Sequence, residues 1–134
     1  MESDQEIKMI LKESKNIAVV SISDKPDRDS YRVADYLMRN GYEIFAVNPN
    51  IREWNGKRAF PSLHDIPAGT EIDVVDVFRK SNSVVPIAHE AVAIKAKTLW
   101  LQEGVVNREA ERIAKEHGLR AIMDRCMMKE HMKL

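Results

Sequence analysis

Ser21, Ser23, Lys25 and Arg28 place two hydroxyls and two cations in one short stretch, directly after the apolar run Ile17-Ala-Val-Val20. An amphipathic helix pattern follows at once. Hydroxyls and cations beside a helix N-terminus are suited to holding an anion, because the first backbone N–H groups of a helix are free to donate. Other apolar runs end in comparable polar residues: Asn48-Pro49, Phe78-Arg79, Gln102-Glu103-Gly104 and Asp124-Arg125-Cys126. The chemistry these ends exclude is as informative. No glycine falls between Ile17 and Asn40, so the Gly-rich dinucleotide fingerprint is absent. Asn48-Pro49 stands where an NAD site places an acidic residue for the ribose, which argues against an ordinary NAD dehydrogenase. Ser21 to Ser23 lacks the paired acids that would hold Mg²⁺. No two of His64, His89, His117 and His131 sit at metal-ligand spacing, so no metal site is expected. Cys126 is the one candidate nucleophile, flanked by the opposite charges of Arg125 and Asp124. No catalytic constellation assembles from these residues, and no enzyme is expected.

The elements that position these ends follow from hydrophobic periodicity. Ser3 to Glu6 matches a capping box and predicts a helix over 4–14. Ile17–Val20, 43–47, 72–78, 98–101 and 119–123 read as strands, and the first is apolar at every position, as in a strand covered on both faces. Val33, Ala34, Leu37 and Met38 give one helix its buried stripe, with Gly41 as its stop. Residues 50–70 read as irregular, with a turn at Trp54-Asn55-Gly56 and at most one helical turn between Pro61 and Pro67. Ile87, Ala88, Ala91 and Ile94 mark a helix for which Pro86 favours Ser83 as N-cap. Asn107 caps a helix carrying Ala110, Ile113 and Ala114 and stopped by Gly118, and the tail after Asp124 adds a helical turn. Five strands alternating with helices predict a three-layer α/β/α sandwich, Rossmann-like, with a parallel sheet of order 3-2-1-4-5. Ligands then lie off the carboxyl ends of the strands.

Length and charge agree with this plan. The 134 residues fit a single domain over 1–134, with no internal repeat. The 21 basic residues balance the 21 acidic ones, so no net field favours nucleic acid or an anionic membrane. The lone Cys126 excludes an intramolecular disulfide and fits a reducing compartment. The acidic start, Met1 to Glu6, has no apolar segment behind it and is not a secretory signal. A cytoplasmic location is expected.

Six stretches carry a family resemblance: Ser23-Asp-Lys-Pro-Asp-Arg28 with Ser30-Tyr31, Gly41-Tyr42, Val47-Asn-Pro49, Val75-Asp-Val-Phe-Arg79, Ala96-Lys-Thr-Leu-Trp-Leu-Gln102 with Gly104, and Asp124-Arg-Cys126. In that order the chain resembles the small stand-alone CoA-binding proteins of bacteria and archaea, which look like the CoA-binding domain of the succinyl-CoA synthetase α subunit. The resemblance implies a non-catalytic protein holding CoA or a short acyl-CoA across the strand ends. It implies that the loop Ser21, Ile22, Ser23, Lys25, Pro26 and Arg28 meets the pyrophosphate, and Tyr31 belongs to the same ligand-binding set. Asn48 and Pro49 with Phe78 and Arg79 would frame the adenosine, and Gln102 and Gly104 would lie along the pantetheine arm. Asn107 and Cys126 complete the candidate ligand-binding set. Lys25, Arg28 and Arg79 are the candidates for the 3′-phosphate of CoA.

Relatives of this kind carry glycine at the position of Ser21, in a Gly-small-Ser pattern that here reads Ser21-Ile22-Ser23. A serine there either keeps φ negative or carries about 1 kcal/mol or more of left-handed strain. Three alternatives stay open at this point. One is an interaction or regulatory subunit that keeps the fold and has lost the nucleotide, motivated by Met127, Met128 and Met132 and working through a homodimer or a protein partner. Another is a binder of a different nucleotide such as NAD(P). The third is a redox role in which Cys126 forms a mixed disulfide with the thiol of CoA.

Overall fold

A computed structural model describes residues 3–134; Met1 and Glu2 of the acidic start lie outside the described residues. Helix α1 (Asp4–Glu13) begins as its sequence dictates, with Ser3 Oγ accepting from the Glu6 N–H at 3.1 Å. It is followed by β1 (Asn16–Val20), α2 (Asp29–Arg39) and β2 (Glu43–Val47). Asn40 ends α2, and the next residue, Gly41, takes φ +97°, the left-handed stop that only glycine adopts freely.

The region 50–70 contains more order than its composition suggests. Strands β3 (Glu53–Trp54) and β4 (Lys57–Arg58) form an antiparallel ribbon closed by Asn55 and Gly56, both at positive φ as a primed turn requires. A single 3₁₀ turn, Leu63–Asp65, follows with a complete capping box from Ser62 and Asp65. The chain then alternates through β5 (Val74–Val77), α3 (Val85–Ala93), β6 (Thr98–Leu101), α4 (Arg108–Glu116), β7 (Arg120–Ile122) and α5 (Met127–Met132). Ser83 does not cap α3. Residues Ser81–Ser83 form a 3₁₀ turn, Val84 is the N-cap with no side-chain bond, and Pro86 sits in the first turn, where its missing N–H costs nothing. Asn107 does cap α4, its Oδ1 accepting from the Ala110 N–H at 2.9 Å.

The five long strands form one parallel sheet of order β2-β1-β5-β6-β7. Counting only those five, the order is 2-1-3-4-5, so the expected 3-2-1-4-5 is corrected while the three-layer Rossmann-like architecture stands. The physical reason lies at the outer edge of β2. Residues returning from the β3–β4 ribbon occupy that edge: the Phe60 N–H donates to Ala46 O at 2.8 Å, and the Asn48 N–H donates to Phe60 O at 2.9 Å. With that edge taken, β5 crosses to the open side of β1.

One face of the sheet is covered by α1, α2 and α5, whose Ile7, Leu11, Val33, Leu37 and Met127 pack on Ile17, Val19 and Trp100. The other is covered by α3 and α4, with Ala88, Ala91, Ile113 and Ala114 against Ala18, Val75, Leu99 and Leu101. None of the described helices is long and apolar enough to cross a membrane.

Candidate functional site

The ladder registers bring the carboxyl ends of four strands level. Val47 pairs with Val20, Val20 with Val77, and Val77 with Leu101, so the residues after them leave the sheet side by side. In spatial order the ends are Asn48-Pro49, Ser21–Ser23, Phe78-Arg79, Gln102–Gly104 and Asp124–Cys126. Helix α2 leaves β1 over one face and α3 leaves β5 over the other, which opens a crevice between the β1 and β5 ends. Three contiguous cavities run along this row. One of about 440 Å³ lies against Ser21, Ser23, Lys25, Arg28 and Phe78. The next, about 560 Å³, shares Phe78 and adds Arg79, Gln102 and Cys126. The last, about 660 Å³, shares Cys126 and extends past Asp124 and Arg125.

The loop after β1 holds its shape without glycine because five of its backbone groups have fixed partners. Ser21 takes φ +65°, the left-handed region, while its N–H donates to Val47 O at 2.8 Å. Ile22 O accepts from Asn48 Nδ2 at 2.8 Å, and Ser23 O accepts from Trp54 Nε1 at 3.0 Å. The Ser23 N–H donates to Ser30 Oγ at 2.9 Å, and the Lys25 N–H donates to Ser23 Oγ at 3.0 Å. Substituting Ser21→Gly is therefore expected to raise stability by about 0.5–1 kcal/mol, relief of the left-handed strain outweighing the extra freedom of the unfolded chain. Urea denaturation of the two proteins measures it; a loss of stability would show that the serine side chain supplies more than its backbone costs.

The N-terminus of α2 faces the first cavity and is open. Arg28 is its N-cap and makes no side-chain cap bond, so the first-turn donors are not covered by a side chain of the chain itself. Asp29 pairs with Arg32 rather than with Arg28. Lys25, Arg28 and Asp29 are exposed, and Ser30 is buried behind them.

The structure brings Ser21, Ser23, Lys25, Arg28, Phe78, Arg79, Gln102 and Cys126 to the row of cavities. It does not bring all candidates there. Ile22 is fully buried in the core on the α2 side. Pro26 and Pro49 are exposed off the cavity walls. Tyr31 lies against Trp54, ring centroids 5.2 Å apart. Asn48 spends its side chain on Ile22 O and on the Asn50 N–H. Asn107 spends its own on capping α4 and on Ser81 O. Gly104 takes φ +87° and donates its N–H to Asp124 Oδ1 at 2.7 Å, tying the β6 and β7 ends together. Gln102 is buried, its Oε1 near the Met127 N–H at 3.4 Å. Phe78 and Arg79 emerge between the β1 and β6 ends, so the observed strand order separates them from Asn48-Pro49. No histidine lines any of the three cavities. Of the tail methionines, Met127 is fully buried and Met128 packs on the core, leaving Met132 exposed.

Residues that sequence reasoning passed over include Ser30 and Trp54, which hold the loop, and Val105, Met128 and Lys129, which line the middle cavity. Ser30 was legible as a polar residue on the buried side of α2. Trp54 gave no such signal, since a tryptophan in a turn reads as core.

Fold and groove together define a Rossmann-like α/β domain with a row of adjoining cavities across the carboxyl ends of its strands. Comparison with known proteins makes this specific: the family model described as a CoA binding domain matches residues 15–132. The chain belongs to that family. It is similar to the uncharacterized protein YneT of Bacillus subtilis (strain 168), 45% identical over 129 residues that cover 96% of this chain and 94% of that one. It is similar to a hypothetical protein of Pyrococcus horikoshii OT3 of solved structure, with TM-score 0.94, 41% identity and coverage of 99% of this chain and 92% of the other. It also matches an ADP-forming acetate–CoA ligase II of Archaeoglobus fulgidus, 28% identical over 116 residues. That match covers 79% of this chain and only 17% of the ligase.

Proposed function

We propose that the protein binds CoA, or a short acyl-CoA, along the row of strand ends and performs no chemistry on it. Membership of the CoA-binding domain family and the three contiguous cavities support this reading. The single observation that carries it is the first cavity. There the open N-terminus of α2, two hydroxyls and two cations without ion-pair partners among the described residues converge where a pyrophosphate would sit.

The spatial order of the ends gives the ligand a direction. Adenosine would lie toward Asn48 and Pro49, the phosphates against Ser21, Ser23, Lys25 and Arg28, and the pantetheine arm across Phe78, Gln102 and the Gly104 turn. The thiol would then reach Cys126. The CoA 3′-phosphate adds a dianion near Lys25 and Arg28, and charge-assisted bonds to it have no counterpart in NAD. Calorimetry on the purified protein is expected to show CoA binding at least about tenfold tighter than dephospho-CoA or NAD, about 1.4 kcal/mol. Replacing Arg28 with alanine should remove most of that difference. Equal affinity for all three ligands would overturn the 3′-phosphate reading, and no binding of CoA at millimolar concentration would overturn the function.

A further inference from the structure

The third cavity of the row lies beyond the point where the thiol of CoA would end, and its walls mix apolar and charged side chains. It measures about 660 Å³; Val106, Met123 and Cys126 give it an apolar wall, and Arg108, Arg125, Lys129 and Lys133 face Glu103, Asp124 and Glu130 around the rest. The acids are all engaged. Glu103 pairs with Lys129 at 2.9 Å, Glu130 with Lys133 at 3.1 Å, and Asp124 accepts the Gly104 N–H. Those pairs also occupy the two lysines. Arg108 pairs with Glu111, outside the cavity, at 3.2 Å.

Arg125 is the exception. Its guanidinium makes no hydrogen bond among the described residues, and its nearest carboxylate oxygen, Glu130 Oε2, is 3.8 Å away and already held by Lys133. The side chain is one-third exposed, so part of its hydration has been removed. Its backbone is fixed: Arg125 O accepts from Trp100 Nε1 at 2.8 Å, and its N–H reaches Leu101 O at 3.4 Å. A guanidinium carries five N–H donors in a planar fork whose geometry matches a carboxylate in two parallel bonds. Anchored, two-thirds desolvated and facing only a long contact to a Glu130 carboxylate that it shares with Lys133, Arg125 keeps N–H donors for a second carboxylate. Glu103, Cys126 and Lys129 line both this cavity and the middle one, so the two adjoin at the thiol end.

We infer that this cavity is an acyl subsite for a short acyl chain ending in a carboxylate, a dicarboxylic acyl thioester of CoA, recognised by Arg125. The inference rests on the CoA reading above. The methylenes of such a chain can lie against Val106 and Met123, and only a terminal carboxylate also takes up the free donors of Arg125.

Calorimetry with matched thioesters tests it: glutaryl-CoA against valeryl-CoA, and malonyl-CoA against propionyl-CoA. The carboxylated member of at least one pair is expected to bind about tenfold or more tightly than its neutral counterpart. Arg125→Met should bring that ratio near one, and Arg125→Lys should retain part of it, since the charge stays and the fork is lost. Free glutarate without CoA is expected not to bind. Wild-type protein that binds CoA but favours neither carboxylated thioester overturns the subsite and leaves the CoA reading intact. So does a preference that survives in Arg125→Met, or glutarate binding unaided. Wild-type protein that fails to bind CoA itself overturns the reading beneath it. If Arg125→Met does not fold, the wild-type ratios decide alone.

Discussion

Replacing Asp76 with valine is expected to stabilise the protein at neutral pH by on the order of 2 kcal/mol, against the usual direction of core substitutions. Asp76 sits in the middle of β5, between Val19 of β1 and Trp100 of β6. It is completely buried, and neither carboxylate oxygen has a hydrogen-bond partner among the described residues. Burial disfavours the charged form and pushes its pKa well above the ordinary carboxylate range. The folded protein therefore holds a proton that the unfolded chain releases near the usual aspartate value. Folded stability from this group is fully present below that value and is lost as pH rises through the raised one. The gain from Asp76→Val should be smallest near about pH 4 and grow toward about pH 8, and the near-isosteric Asp76→Asn should also flatten the profile. Urea denaturation of the three proteins across that range measures it. A gain of the same size at every pH, or a loss throughout, would sink the assignment.

The contrast with Asp73, in the same segment, isolates the cause. Burial alone would raise Asp73 as well, but its carboxylate accepts the Asn16 and Lys15 N–H groups at 2.9 and 2.8 Å and pairs with Lys97 at 3.3 Å. These partners outweigh burial and lower its pKa. The sign is then reversed: Asp73 stabilises the fold above the ordinary carboxylate range and loses that contribution on acidification. Two aspartates three residues apart therefore shape opposite limbs of the pH profile. The difference is whether the fold supplies donors.

The same dependence on partners separates what was legible in the sequence from what was not. Ile17 to Val20 declared itself as a central strand because an uninterrupted apolar run needs cover on both faces. The polar residues ending such runs marked the groove for the same reason. Strand order was illegible because it turns on the free edge of β2, which is taken by the segment returning from Lys57 and Arg58. Those residues are exposed and charged and carry no hydrophobic period. The β3–β4 ribbon, two residues to a strand, is too short for periodicity to register. The departure at Ser21 was legible as a question, since a glycine position filled by serine must resolve toward one backbone sign. Its answer, the left-handed one, depends on Asn48, Trp54 and Ser30, which lie far apart in the sequence and converge only on folding.

That convergence makes Trp54 the residue through which core and site are coupled. Its indole is 1% exposed, so shortening it to alanine is expected to cost about 3–5 kcal/mol, as for a buried large aromatic. Such a loss alone would not distinguish a loop support from ordinary core. Trp54→Phe separates the two, because the ring still fills much of the space while the Nε1 donor to Ser23 O disappears. An unpartnered, partly buried carbonyl costs about 1–2 kcal/mol, and that should appear as lowered stability. The loop should also lose its fixed geometry, and CoA affinity should fall about tenfold, because ordering the phosphate loop then has to happen on binding. Asn48→Ala removes the neighbouring tie on Ile22 O and should weaken binding in the same direction without touching the core. If Trp54→Phe lowers stability while CoA affinity stays within about twofold of wild type, the ribbon is a core element only, since an ordered loop free of its support would bind as before.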